Sequence, residues 1–164
     1  MAIIKSVNGK APKWGKDCYF AENAAIVGDI TMGNDCSVWF NAVLRADVAG
    51  IRMGNKVNVQ DGACIHQSHE IPITIEDEVS IGHNATVHGC TLHCGALIGM
   101  GAVVLDRSVV GAGAIVAAGA VVTQGTKIPP CEIWGGIPAK FIKKAREHQA
   151  DEFAAHYMNI KTWY

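Results

Sequence analysis

Organised charge is what this sequence has least of. Its 14 Lys and Arg against 15 Asp and Glu leave a formal net charge of -1. No basic block supplies the electrostatic footprint of a nucleic-acid or membrane-surface protein, so neither is an expected partner. No apolar run approaches the roughly 18 residues that cross a bilayer. The opening MAIIKSVNGKAPKWG lacks the apolar centre of a signal peptide, and a soluble, cytoplasmic protein is expected. Cysteine is present but unorganised: residues 18, 36, 64, 90, 94 and 131 show no paired spacing, which points to reduced thiols rather than a disulfide framework. The spacing of Cys90 and Cys94 is a weak match to metal ligands, and they read rather as small buried thiols.

What the sequence does have is a period. Stepping six residues from Phe20 meets Ile26, Met32, Val38 and Leu44, and stepping six from Leu92 meets Ile98, Val104, Val110, Val116 and Val122. Between these runs the phase passes through Met53, Val59, Ile65, Ile75, Ile81 and Val87, with breaks of nine, ten and five residues. Small residues recur four positions on, as at Ala24, Ala42, Ala63, Ala85, Ala96 and Ala102. A period of six fits neither a helix nor a hairpin sheet and is the mark of a parallel β-helix, in which three hexads make one triangular coil. Apolar residues fill the prism, small ones fit its corners and glycines relieve the turns. Residues added after Leu44 and after Ile65 are expected to leave the prism as loops, where sites tend to be built.

One domain is expected from 164 residues. Within it, 1–132 is assigned to the β-helix and 133–164 to a helical segment packed outside it. Pro138 is expected near a helix start, with Phe153, Tyr157 and Ile160 at helical spacing and Phe153 and Ile160 as anchors.

Counting strands by threes turns the repeat into a map. Leu44, Ile65 and Val87 begin strands on one face of successive coils, so Arg45, His66 and His88 form a column with rungs about 4.8 Å apart. Val59 and Ile81 begin strands on another face, and Asp61 and His83 form a second column there. His83 therefore stands round a corner from the other two histidines. If three prisms pack about a threefold axis, the first column of one chain faces the second column of its neighbour. Each site would then hold His66 and His88 from one subunit and His83 from the next. Three neutral histidines leave a fourth position for water, the usual pattern of catalytic zinc, which brings the pKa of that water to about 7. Arg45 and Asp61 would meet across the same interface as a bidentate pair. Asp47 and Gln60 lie near the same corner, where Gln60 either orients the water by hydrogen bonding or serves as a structural polar contact.

The stretches LRADV (44–48), NVQDGACIH (58–66), IGHNATVHGC (81–90) and GGIPAK (135–140) closely resemble the gamma-class carbonic anhydrase family, including members labelled ferripyochelin-binding or phenylacetate-degradation proteins. The resemblance implies a left-handed β-helix homotrimer with interface metals, Zn2+ or alternatively Fe2+ or Co2+, and reversible hydration of CO2 to bicarbonate. Matched position by position, His66, His83 and His88 correspond to its metal ligands, Arg45 and Asp61 to its intersubunit pair, Asp47 and Gln60 to its active-site polar residues, and Tyr157 and Asn159 to residues lining its pocket. Two departures stand out. Val48 occupies the place of a glutamate in the best-characterised active form, and QSHEIP (67–72) replaces the acidic loop that carries its proton-shuttle glutamate, leaving either a plain solvated loop or His69 or Glu70 as stand-ins. Metal-dependent thioester or acyl hydrolysis and a noncatalytic trimeric scaffold remain as alternatives. Hexapeptide acyl transfer, which relies on a base histidine near a CoA groove, fits less well.

Overall fold

A computed structural model describes residues 1–146 and 149–164. The chain winds into a left-handed parallel β-helix of three faces, closed by one short C-terminal α-helix. The expected hexad phase governs the winding. Leu44 pairs with Ile65 and Ile65 with Val87 on the first face, Met53 with Ile75 and Ile75 with Leu92 on the second, and Val38 with Val59 and Val59 with Ile81 on the third. These inward residues are sealed from solvent, with Leu44, Ile65, Val87, Leu92, Ile98 and Val104 all at 0 % exposure. Each such side chain contributes about 1.5–3 kcal/mol on burial. Alanine suits the corners because a larger Cβ substituent would meet the next coil.

The two insertions behave differently. Residues after Ile65 do leave the prism, between the strands Cys64–His66 and Ile73–Ile75. Those after Leu44 do not form the expected loop, because they stay within one continuous strand, Val43–Met53. That strand pairs with Ala25–Met32, and the register shifts between Gly28 and Ile30, which face Ala46 and Ile51. The four residues Asp47–Gly50 thus oppose Asp29 alone, a bulge with three extra residues. Gly28 makes this possible: its φ is +87°, and a Cβ there would run into the Ala46 carbonyl. Asp29 holds the bulge from the other strand, pairing with Arg52 at 2.8 Å and Lys10 at 2.9 Å.

The C-terminal segment also departs from expectation. The strand Glu132–Gly135 continues the third face, and Lys140–Lys144 returns along it antiparallel. Pro138 stands in the turn between them after a cis peptide bond, not at a helix start. Helix α1 spans Asp151–Ile160 and buries Ala154 and Tyr157. Phe153, expected as an anchor, is 45 % exposed, and Ile160 is half-buried. The smaller Ala154 and the ring of Tyr157 allow closer approach to the prism, and Tyr157 packs edge-on against Trp39 at 5.4 Å. Outward-facing Leu97, Ile115 and Ile133 on the third face are covered by Ala145 and Ala150 ahead of the helix.

Candidate metal centre

His66 and His88 are Cα partners in neighbouring parallel strands, as the first column requires. Their rings approach with His66 Nδ1 3.3 Å from His88 Nε2. Each ring is gripped from behind by a carboxylate: Asp47 Oδ1 lies 3.1 Å from His66 Nε2, and Asp106 Oδ1 lies 2.6 Å from His88 Nδ1. A carboxylate accepts, so each ring places its N–H on that side. The nitrogens left bare are His66 Nδ1 and His88 Nε2, and they face each other. Two lone pairs at that distance repel unless a cation lies with them. This donor set fits a borderline-soft divalent metal.

The carboxylates are themselves held. Burial pushes the Asp47 carboxyl up, but hydrogen bonds from Arg45 and His66 outweigh it and leave Asp47 below the usual range. Asp106 behaves likewise, with burial overcome by bonds from Ser68 and His88. Ser68 Oγ donates to Asp106 Oδ2 at 2.7 Å, which ties the 67–72 loop to the histidine pair. Asp106 was not foreseen from sequence, nor was Ser68. The available signal was the offset of 18 residues, three hexads, between His88 and Asp106. Gly89, at φ +49°, leaves the room: a Cβ there would strike Asp106 Oδ1. Arg45 pairs with Asp47 at 2.5 Å within the chain.

His83 occupies the second column, on the third face. Its Nδ1 lies 2.9 Å from Asp61 Oδ2, so its Nε2 is again the free nitrogen, and the Tyr157 hydroxyl stands 3.3 Å from it. Burial, followed by the Asp61 charge, pushes that hydroxyl up to about 12, keeping it protonated at neutral pH. Gln60 is 4 % exposed, and its Nε2 donates to Asn58 Oδ1 at 2.9 Å, while Asn58 Nδ2 donates to Ser80 Oγ at 2.7 Å. This buried ladder leaves Gln60 Oε1 as the acceptor. Gln60, His83 and Tyr157 line one cavity of about 270 Å3 with Leu97, Met100 and Phe153.

The predicted residues therefore fall into two groups. Arg45, Asp47, His66 and His88 come together on the first face, and Gln60, Asp61, His83 and Tyr157 on the third. Among the described residues, no three His, Cys, Asp or Glu side chains of the single chain converge to hold a metal. Asn159 is exposed, two positions and about half a turn beyond Tyr157, and its carbonyl accepts from Thr162. His69 and Glu70 are almost fully exposed, with side chains at 78 % and 85 %. Of the two cysteines read as buried, Cys90 is buried and Cys94 is exposed. Cys94 sits on the outer side of a corner, where its backbone N–H donates to Glu76.

Comparison with known proteins bears on both fold and site. Residues 89–124 match the family model described as bacterial transferase hexapeptide (six repeats). The chain is 41 % identical over 92 % of its length to a carbonic anhydrase of Geobacillus kaustophilus, and covers 82 % of that protein. It is 39 % identical, over 96 % of its length, to the mitochondrial gamma carbonic anhydrase 2 of Arabidopsis thaliana, of which it spans 60 %. A solved hexapeptide transferase family protein from Anaplasma phagocytophilum superposes with a TM-score of 0.94 at 34 % identity, covering 99 % of this chain and 98 % of that one. With the matching winding and a relative matched along most of both lengths, the chain belongs to the gamma-class carbonic anhydrase family.

Proposed function

We propose that the protein catalyses reversible hydration of CO2 to bicarbonate at metal sites shared between the subunits of a homotrimer. The observation that carries this is the carboxylate-locked pair His66 and His88, whose two bare nitrogens converge on one point. His66, His88 and His83 of the partner subunit would hold Zn2+, with Fe2+ or Co2+ as alternatives. When bound, such an ion supplies Lewis acidity that makes water a competent nucleophile near neutral pH.

The chain's own groups do the rest. Gln60 Oε1 accepts a hydrogen bond from the attacking water and so aims its lone pair at the carbon of CO2. The Tyr157 hydroxyl, protonated at neutral pH, donates to an oxygen of the substrate. Leu97, Met100 and Phe153 give CO2 an apolar approach. Asp47 and Asp106, both held ionised, keep the two histidines in the tautomer that leaves the converging nitrogens bare. Arg45 stands beside this pair, available to Asp61 of the partner subunit. The released proton leaves to solvent buffer or through His69 and Glu70, since Val48 offers it no carboxylate.

The test is stopped-flow CO2 hydration on zinc-loaded protein, on chelator-stripped protein and on protein reloaded with zinc. Hydration that disappears on stripping and returns on reloading supports the reading. Loaded protein with no rate above buffer, yet active on acyl thioesters, would replace it with acyl hydrolysis.

A further inference from the structure

A second chemical feature lies at the N-terminal end of the prism, independent of the histidine columns. Cys18 and Cys36 stand immediately before the strands Tyr19–Phe20 and Ser37–Val38, which pair in parallel with Tyr19 opposite Ser37. The Tyr19 N–H donates to the Cys36 carbonyl at 2.9 Å. The two cysteines are thus stacked on adjacent rungs, with Cα atoms about 4.8 Å apart, inside the roughly 4.4–6.8 Å span of disulfides. Both fill the inward corner position that Ala24, Ala42 and Ala63 fill elsewhere, and both are free thiols.

Their surroundings are unequal. Cys36 is fully buried, whereas Cys18 is partly exposed. Cys18 also precedes the edge strand of its sheet, with no rung beyond it to resist a small displacement toward Cys36. Lys161, just beyond α1, reaches back to this corner, donating to the Asp17 carbonyl at 2.8 Å and to Asp35 Oδ1 at 2.9 Å. The Cys36 thiol lies 3.1 Å from the Gly54 carbonyl and the Cys18 thiol 3.3 Å from the Gly33 carbonyl. Interaction with the neighbouring Cys36 thiol, opposed by burial and reinforced by the Lys161 charge, pulls the Cys18 thiol down to about 7. The same interaction, with burial, raises the Cys36 thiol and keeps it protonated.

We propose that Cys18 and Cys36 form a peroxide-reactive dithiol, with Cys18 as the attacking sulfur and Cys36 as the resolving one. The Cys18 thiolate attacks one oxygen of a hydroperoxide and the O–O bond breaks. The departing oxygen leaves as water or alcohol after taking up a proton. Cys18 is oxidised to the sulfenic acid and the peroxide is reduced. Cys36 Sγ then attacks the Cys18 sulfur, and its proton leaves with the displaced hydroxide as water. Two thiols and one hydroperoxide give one disulfide, one alcohol or water, and one further water.

The experiment treats the reduced full-length, metal-loaded protein with hydrogen peroxide at pH 7, quenches with an alkylating agent and maps the peptides by mass. Expected is a Cys18–Cys36 cross-link with the loss of two hydrogens, appearing about tenfold faster than oxidation of the exposed Cys64, Cys94 and Cys131. Cys36→Ala is expected to stop at a Cys18 sulfenic acid trapped by dimedone, formed more slowly than the wild-type disulfide because the lowering of the Cys18 thiol by Cys36 is gone. Cys18→Ala is expected to leave Cys36 reduced over the same time. Both variants place at the corner a residue already found there in other coils, and the wild-type rates decide the matter if either fails to fold. Cys18 reacting no faster than the exposed thiols, or cross-links that bypass Cys36, would overturn the proposal.

Discussion

The coils over residues 89–124 and those over 43–88 obey the same packing rule and carry opposite content. The first group matches the hexapeptide family model, keeps an unbroken six-residue step, and contributes to the candidate metal centre one polar side chain, Asp106, besides the apolar wall residues Leu97 and Met100. The second contains the bulge Asp47–Gly50 and the 67–72 loop, and it supplies Arg45, Asp47, Gln60, Asp61, His66, His83 and His88. Regular winding makes a stiff support; departures from it place chemistry. The bulge brings Asp47 to the back of His66, and the loop brings Ser68 onto Asp106. A side chain on an unbroken rung meets only its stacked neighbours, whereas an inserted residue can reach round a ring.

That contrast can be broken from either side. The largest effect on catalysis is expected from His88→Ala, which removes one of the two converging nitrogens: metal is lost on gel filtration and CO2 hydration falls to buffer background, while thermal stability changes little. Leu92→Ala, in the regular coils and fully buried, should do the reverse. It is expected to cost about 2–5 kcal/mol in denaturant unfolding and to leave metal content and rate per folded molecule unchanged. Equal losses of metal in both variants would erase the distinction between the regions.

Smaller changes sharpen it. Asp106→Asn keeps the shape but replaces the charged acceptor behind His88 with a neutral amide that can present either oxygen or NH2, which loosens the hold on the His88 tautomer, so zinc affinity measured against a competing chelator is expected to fall about 10–100-fold. Ser68→Ala should fall in the same direction by less. Val48→Glu, on the bulge, is expected to raise hydration several-fold at low buffer and little at high buffer. A rate equally dependent on buffer in both proteins would remove the bulge from proton transfer. The smallest effect concerns the strand opposite the bulge. Bonds from Lys10 and Arg52 hold Asp29 below its ordinary value against a modest burial effect. A depressed folded-state pKa stabilises the fold above the unfolded value of about 3.9, and that stability is lost as pH falls through the folded value. Asp29→Asn should flatten the acid limb of the melting-temperature profile and leave the neutral limb parallel to wild type.

Much of this was legible in the sequence because a β-helix converts residue spacing directly into position. His66 over His88, and Asp61 over His83, follow from counting hexads, and the strands pair as counted. What escaped the count was whatever depends on side-chain reach or on a local contest between structures. Asp106 lies one coil beyond His88, in a stretch whose regular six-residue step is carried by its apolar residues. The residues after Leu44 could leave as a loop or stay paired. Gly28, which accepts the left-handed φ, tips them toward pairing. The segment around Phe141 and Ile142 carries no periodic signal strong enough to separate strand from helix. An open edge at Glu132–Gly135 captured it as an antiparallel strand.

The division of the histidines between two faces makes a subunit-mixing measurement the most direct test of shared sites. His83→Ala and His88→Ala proteins, each inactive alone, are dissociated, combined in equal amounts and reassembled, and CO2 hydration and bound zinc are followed. If neighbouring copies complete each site, about a quarter of the sites in random trimers regain all three ligands, and rate and zinc return in that proportion. No recovery from mixed trimers of proven composition, or a wild-type monomer holding a full complement of zinc, would contradict it.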